Sequence, residues 1–136
     1  GAAAAFRATG ADSGHRQKRA VAPLRLTLMQ TLGLLIVIAL GMLGIGFPNT
    51  VARFVRISAL GQTGLSEIRA TYGGLFLGMG IFGLWSNDPQ IATAIGVGFG
   101  CAALVRASSA LLEKSRGADN FAGIALEGFI AALLLI

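Results

Sequence analysis

After Arg25 the chain runs to Phe47 without a single charged side chain. An apolar helix needs about 20 residues to cross a bilayer core, so Leu24–Phe47 is long enough to span with some tilt. In hydrocarbon no water is present to satisfy backbone N–H and C=O groups, so such a run must bond them within itself as a helix. Three further runs follow: Glu67–Trp85, Gln90–Leu112 and Asn120–Ile136. Only 12% of the 136 residues are charged, and 54% are hydrophobic. A soluble domain carries about 25% charge. The expected fold is therefore all-α: an integral membrane bundle of four antiparallel helices with a basic N-terminal tail.

The breaks between runs carry turn chemistry. Pro48-Asn49 ends the first span. Residues 49–66 hold Val51, Phe54, Val55 and Ile57 with Arg53 and Arg56, the pattern of a short amphipathic helix lying in the interface. The Gly61-Gln-Thr-Gly64 run is expected to break that helix, and Ser66 to cap the next. Ser86-Asn87-Asp88-Pro89 reads as a tight turn after the interfacial Trp85. Residues 113–117 form a polar turn. Four spans joined this way put both chain ends on one side, here called side Y; the loops 48–66 and 113–119 lie on side X.

Residues 1–23 form the tail. They hold Arg7, Arg16, Lys18 and Arg19 against one acid, Asp12, with many alanines. This composition resembles an organelle transit peptide or its remnant. The Ala-Ala-Ala run before Phe6 resembles the cleavage site of plastid-targeting leaders in algae with complex plastids. No basic patch is interleaved with aromatics, which sets nucleic acid aside as a partner. His15 lies in the tail, where its plain role is solvated and its alternative is an axial pigment ligand. The lone Cys101 allows no internal disulfide and no multi-cysteine metal site.

Two stripes of small residues stand out: Ala70, Gly74 and Gly78 in the second span, and Ala92, Gly96 and Gly100 in the third. Spacing of four lets membrane helices approach closely, so both stripes are expected at helix contacts. Four charges sit inside spans: Glu67, Arg69, Arg106 and Glu127. Counting from shared turns at about 1.5 Å per residue places all four in the X-facing part of the bundle. Arg106 and Glu127 match in depth to about one residue. Charges at such depth cost about 2.5–3.5 kcal/mol each on insertion scales, which favours mutual pairing. Arg106 with Glu127 is the expected pair, Glu67 and Arg69 are expected to complete the cluster, and Tyr72 to stand one turn deeper. Such a cluster serves as a clamp fixing helix order or as a proton or ion relay. A transport path needs polar groups in the Y half too, where the spans offer only Thr27, Gln30, Thr31 and Thr93.

The run Glu67-Ile-Arg69-Ala-Thr-Tyr72-Gly73-Gly74, the Arg106-x-Ser108-Ser109 run and the glutamate of the fourth span resemble an uncharacterised family of small four-helix membrane proteins, best known from bacteria. The resemblance covers about residues 24–136. It departs after the Arg–Ser run, where the family's usual acidic residue is replaced by a Glu113-Lys-Ser-Arg-Gly117 turn. The resemblance implies a four-helix membrane fold and no known activity.

No nucleophile–base pair, metal-ligand cluster or phosphate loop is visible, so the chain reads as no enzyme and needs no cofactor. The expected role is a non-catalytic accessory or structural subunit. Its partners would be the lipid bilayer and subunits of a larger membrane complex. In a plastid thylakoid the host would be a photosystem–antenna supercomplex, with contact to chlorophyll or carotenoid. A bacterial inner membrane is the other setting. The alternative function is a small proton- or ion-coupled transporter or channel built on Arg106 and Glu127.

Overall fold

The computed structural model describes residues 25–112 and 117–136; the tail at residues 1–23 and most of the 113–117 turn lie outside them. Every regular element among the described residues is a helix, with no strand. The elements are α1 (Leu28–Gly46), α2 (Pro48–Phe54), α3 (Gly61–Ile68), a π-helical segment (Arg69–Leu75), α4 (Phe76–Ser86), α5 (Pro89–Leu112) and α6 (Ala118–Leu135). Three of them, α1, α5 and α6, are long and apolar enough to cross a membrane.

Local chemistry explains the boundaries. Thr27 opens α1 with a reciprocal capping box: its hydroxyl accepts from the Gln30 N–H, and the Gln30 side chain accepts from the Thr27 N–H. Pro48 ends one helix by starting the next, since its ring suits a first helical turn. Arg56 closes α2 in a left-handed conformation, φ 58°, that an arginine adopts at some cost. Its guanidinium pairs with Asp119 in the first turn of α6. At the next turn, Asn87 takes the left-handed position after α4, and the Asp88 carboxylate accepts from the Gln90 N–H just beyond Pro89.

Two expectations fail in the middle of the chain. The Gly61-Gln-Thr-Gly64 run does not break a helix; it opens α3, and Ser66 lies inside that helix rather than at its cap. The path from α3 into α4 stays helical but widens into a π turn over Arg69–Leu75. The expected second span thus starts earlier than Glu67 and carries an irregularity that its hydropathy does not reveal.

α1 is the central element. One face meets the π segment and α4, another meets α6, and α5 packs on α6. α4 and α5 touch only sparsely. The core is built from Leu34 and Val37 of α1, Ala92 and Phe99 of α5, and Ile130, Ala131 and Leu134 of α6. Around it, large side chains such as Met42, Phe82, Leu104 and Phe129 face outward. This surface suits a solvent of hydrocarbon, in which outward leucines cost nothing.

Hydrogen bonds tie helix ends together. The buried Gln30 amide donates to the Leu134 carbonyl at 3.3 Å, satisfying one of the free acceptors at the end of α6. The Leu26 N–H donates to the Asn87 side chain at 3.3 Å. The start of α1, the α4–α5 turn and the end of α6 therefore lie together. The Arg56–Asp119 pair joins the loop after α1 to the start of α6 at the other end.

Glycines decide which faces meet, and they are not all the expected ones. A Cβ on Gly41 would lie 2.4 Å from the Leu77 nitrogen, and one on Gly44 would lie 2.4 Å from the Tyr72 carbonyl oxygen. Opposite them, Gly73, Gly80 and Gly83 are buried against Ile45, Ile38 and Leu34. Gly74 and Gly78, in contrast, have no neighbouring helix within van der Waals reach, and Ala70 is exposed. The Ala70–Gly74–Gly78 stripe points away from the other described helices. The π turn and the packing on α1 select the adjacent face. The other stripe behaves differently: Ala92 is fully buried, a Cβ on Gly96 would lie 2.8 Å from the Leu134 Cβ, and one on Gly100 would lie 3.7 Å from the Ala131 Cβ.

Gly41→Ala and Gly44→Ala should each destabilise the fold by about 1–3 kcal/mol, because backbone atoms cannot move aside as a side-chain tip can. Gly74→Ala should be neutral or mildly stabilising, since alanine is the better helix former. Thermal unfolding of the three variants in one detergent checks this; equal melting temperatures would contradict the backbone approach.

Candidate intramembrane ion-pair site

Arg106 lies about six residues before the end of α5, and Glu127 about nine after the start of α6. The two helices pack antiparallel across the turn, which brings the residues level. The Arg106 Nε–H donates to both carboxylate oxygens of Glu127, at 2.8 and 2.9 Å. The side chains are 29% and 15% exposed, so the pair is largely withdrawn from the surface.

The stripe of α6 that faces Arg106 is built for this reach. Asn120, Gly123 and Glu127 follow at helical spacing. The Asn120 amide donates to the Arg106 carbonyl at 3.4 Å. Gly123 is buried directly under the guanidinium: a Cβ there would lie 3.2 Å from Nε and 3.3 Å from Cδ. The absent side chain is the floor over which Arg106 extends to Glu127. Gly123 escaped the sequence reading, although its Gly-x-x-x-Glu spacing to Glu127 puts both on one helix face.

Glu67 and Arg69 do not join the pair. Both are exposed, and neither makes an ion pair or side-chain hydrogen bond among the described residues. The expected four-charge cluster is two charges. Depth counting fixes height along the bundle axis, not the angle around it. α3 and the π segment lie against α1 and α2, while Arg106 and Glu127 meet at the α5–α6 seam. Tyr72, expected one turn deeper as a hydroxyl partner, borders the same cavity as the pair but makes no hydrogen bond to it.

The pair borders an apolar cavity of about 300 Å³ between α1, α2, the π segment, α5 and α6. Leu40, Leu43, Val51, Phe54, Phe76 and Leu126 supply most of its apolar wall, and Tyr72 and Thr50 its hydroxyls. A second, more open space of about 440 Å³ lies where α4 and α5 separate. It shares Phe76, Phe99 and Glu127 with the first. The Phe76 and Phe99 rings meet edge to face, centroids 5.3 Å apart, as the partition between the two. Toward side Y the cavity gives way to Leu34, Val37, Ile130 and Leu134, each fully buried. Gln30 and Thr31, two of the polar groups of that half, are spent on backbone bonds.

Among the described residues no three metal-ligating side chains come together. Cys101 is a free, exposed cysteine on α5. No family model matches this chain, and no curated protein or solved structure does either. Functional inference therefore rests on the site itself.

The ion pair makes an asymmetric prediction. Glu127→Gln strands the guanidinium charge without its carboxylate partner, whereas Arg106→Gln leaves the carboxylate an amide N–H to accept from. Breaking a fully buried pair costs about 3–5 kcal/mol and an exposed one under about 1, so this partly buried pair should lose about 1–3. Glu127→Gln should be the worse variant, and the Arg106→Glu/Glu127→Arg swap should recover part of the loss. Melting temperatures of the singles and the swap decide it; additive losses in the swap would mean the two side chains have separate partners. Gly123→Leu should mimic Glu127→Gln by forcing Arg106 off its floor.

Proposed function

We propose that the chain is a four-span membrane protein acting as a non-catalytic accessory subunit that docks helices of a larger membrane complex. The observation that carries this is the Ala70–Gly74–Gly78 stripe. It has the spacing that admits a second helix at close range, yet it faces outward with no other helix of the described residues against it. An internal bundle has no use for small residues there, and lipid gains no contact from them. The fourth span is the α3–π–α4 path, which lies alongside α1 and carries no charge from Ala70 to Ser86.

The alternative is proton- or ion-coupled transport through Arg106 and Glu127, favoured by the cavity beside them. Transport needs a continuation toward side Y, and four fully buried aliphatic side chains occupy that half. The ion pair acts instead as a clamp between α5 and α6. Placement of the host in a plastid thylakoid, as a photosystem–antenna supercomplex with chlorophyll or carotenoid contacts, draws on the basic tail at residues 1–23. A bacterial inner membrane is the alternative setting.

Four spans require Asn87 and Asn49 on opposite sides of the membrane. In a Cys101→Ser background, Asn87→Cys and Asn49→Cys should react with an impermeant thiol reagent from opposite faces of sealed vesicles. Asp119→Cys should follow Asn49→Cys. Labelling of Asn87→Cys and Asn49→Cys from the same face would remove the fourth span.

The docking role is tested by purification in mild detergent with mass spectrometry and an absorption spectrum of the same sample. The wild-type chain should co-migrate stoichiometrically with a large complex. A Gly74→Leu/Gly78→Leu variant should lose those partners while keeping its melting temperature. A chain that purifies alone and alters flux in liposomes would favour transport.

A further inference from the structure

The ion pair leaves hydrogen-bond donors of the cavity wall unused. Arg106 spends only its Nε–H on Glu127. Its four other guanidinium hydrogens find no acceptor among the described residues, and the Tyr72 and Thr50 hydroxyls donate to none either. Neither the Arg106 guanidinium nor the Tyr72 hydroxyl holds a fully buried, unsatisfied polar atom. The one carboxylate in the wall, Glu127, has both oxygens engaged by Arg106. A guest that brings an acceptor oxygen would use these donors.

Charge narrows the guest further. Arg106 and Glu127 sum to zero, so an anionic head would leave a net negative charge in an apolar surround beside Glu127, an unfavourable arrangement at low dielectric. A neutral carbonyl oxygen meets the spare N–H and O–H groups without that penalty. The walls favour a ring: Phe47, Phe54, Tyr72, Phe76 and Phe99 all border the cavity. Its volume of about 300 Å³ is at the small end of ligand sites, enough for a head and not for a long chain. A chain has its own place in the adjoining α4–α5 space, lined by Met79 and by the small residues Ala94, Gly98 and Ala102 at a spacing of four. A Cβ on Gly98 would meet nothing within 4 Å.

We propose that the cavity binds a neutral, ring-bearing carbonyl compound with an apolar tail, of the quinone class. Its carbonyl oxygen accepts from the Arg106 guanidinium and the Tyr72 hydroxyl, its ring lies among the phenylalanines, and its tail leaves past the Phe76–Phe99 partition into the α4–α5 space. The site lies within one chain, so it is independent of any docking partner.

The purified full chain in detergent micelles, examined by native mass spectrometry, tests this with three probes: 2-decyl-1,4-benzoquinone, decylbenzene and decanoate. The quinone should saturate at one per chain and bind at least about fivefold tighter than decylbenzene, the worth of one net hydrogen bond. Tyr72→Phe should weaken the quinone about fivefold and leave decylbenzene unchanged. Thr93→Val, an exposed position that borders neither space, serves as a folded control and should leave quinone binding unchanged. Equal binding of quinone and decylbenzene would overturn the proposal, as would tighter binding of decanoate. Unchanged quinone affinity in Tyr72→Phe would overturn it as well.

Discussion

The arrangement depends on one close approach: the backbone of α1 at Gly41 and Gly44 lying against the backbone of Tyr72 and Leu77. Between membrane helices there is no hydrophobic driving force, because lipid tails are as apolar as leucine. Contact must come from dispersion at short range, and only glycine lets two backbones come so near. This approach draws the π segment and α4 onto α1 and away from α5. The separation of α4 from α5, and with it the space lined by Ala94 and Gly98, follows from that preference. Segments of π-helix inside α-helices are rare and are common at functional sites. Here the segment brings Tyr72 to the cavity while holding Gly73 against Ile45.

The two halves of the bundle do different work. Toward side Y, Leu34, Val37, Ile130 and Leu134 interlock, and Gln30 ties the first turn of α1 to the last carbonyls of α6. Toward side X, the same helices enclose a cavity, and a charged pair replaces apolar packing. A pair inside a membrane costs desolvation that its attraction does not automatically offset. What it adds is selectivity: only one rotation of α5 against α6 lets Arg106 pass over Gly123 to reach Glu127. A purely aliphatic seam would tolerate several such rotations.

Helix content, the breaks at Pro48 and at Ser86–Pro89, and the matched depths of Arg106 and Glu127 were legible in the residues. Uncharged runs of this length admit only helices in hydrocarbon, and Asp88-Pro89 before an apolar run suits a helix start, with a capping carboxylate and a proline in the first turn. Level depths for Arg106 and Glu127 followed from the fixed rise per residue around a short turn. The stripe at Ala92, Gly96 and Gly100 could be picked out because α5 is a regular helix, in which a spacing of four stays on one face.

The chain by itself determined what is one-dimensional: which stretches are apolar, where they stop, and how far along its helix each charge lies. Tertiary structure decided the angles. Periodicity places residues on a face but does not say which neighbour that face meets. The helix through Arg69–Ser86 meets α1 with Gly73 and Gly80 rather than with Gly74 and Gly78, and its packing on α1 left Glu67 and Arg69 apart from the pair. The π widening carries no hydropathy signal, because it exchanges one set of backbone bonds for another. Only the fit of backbone against backbone, summed over Gly41, Gly44 and Gly73, selects it.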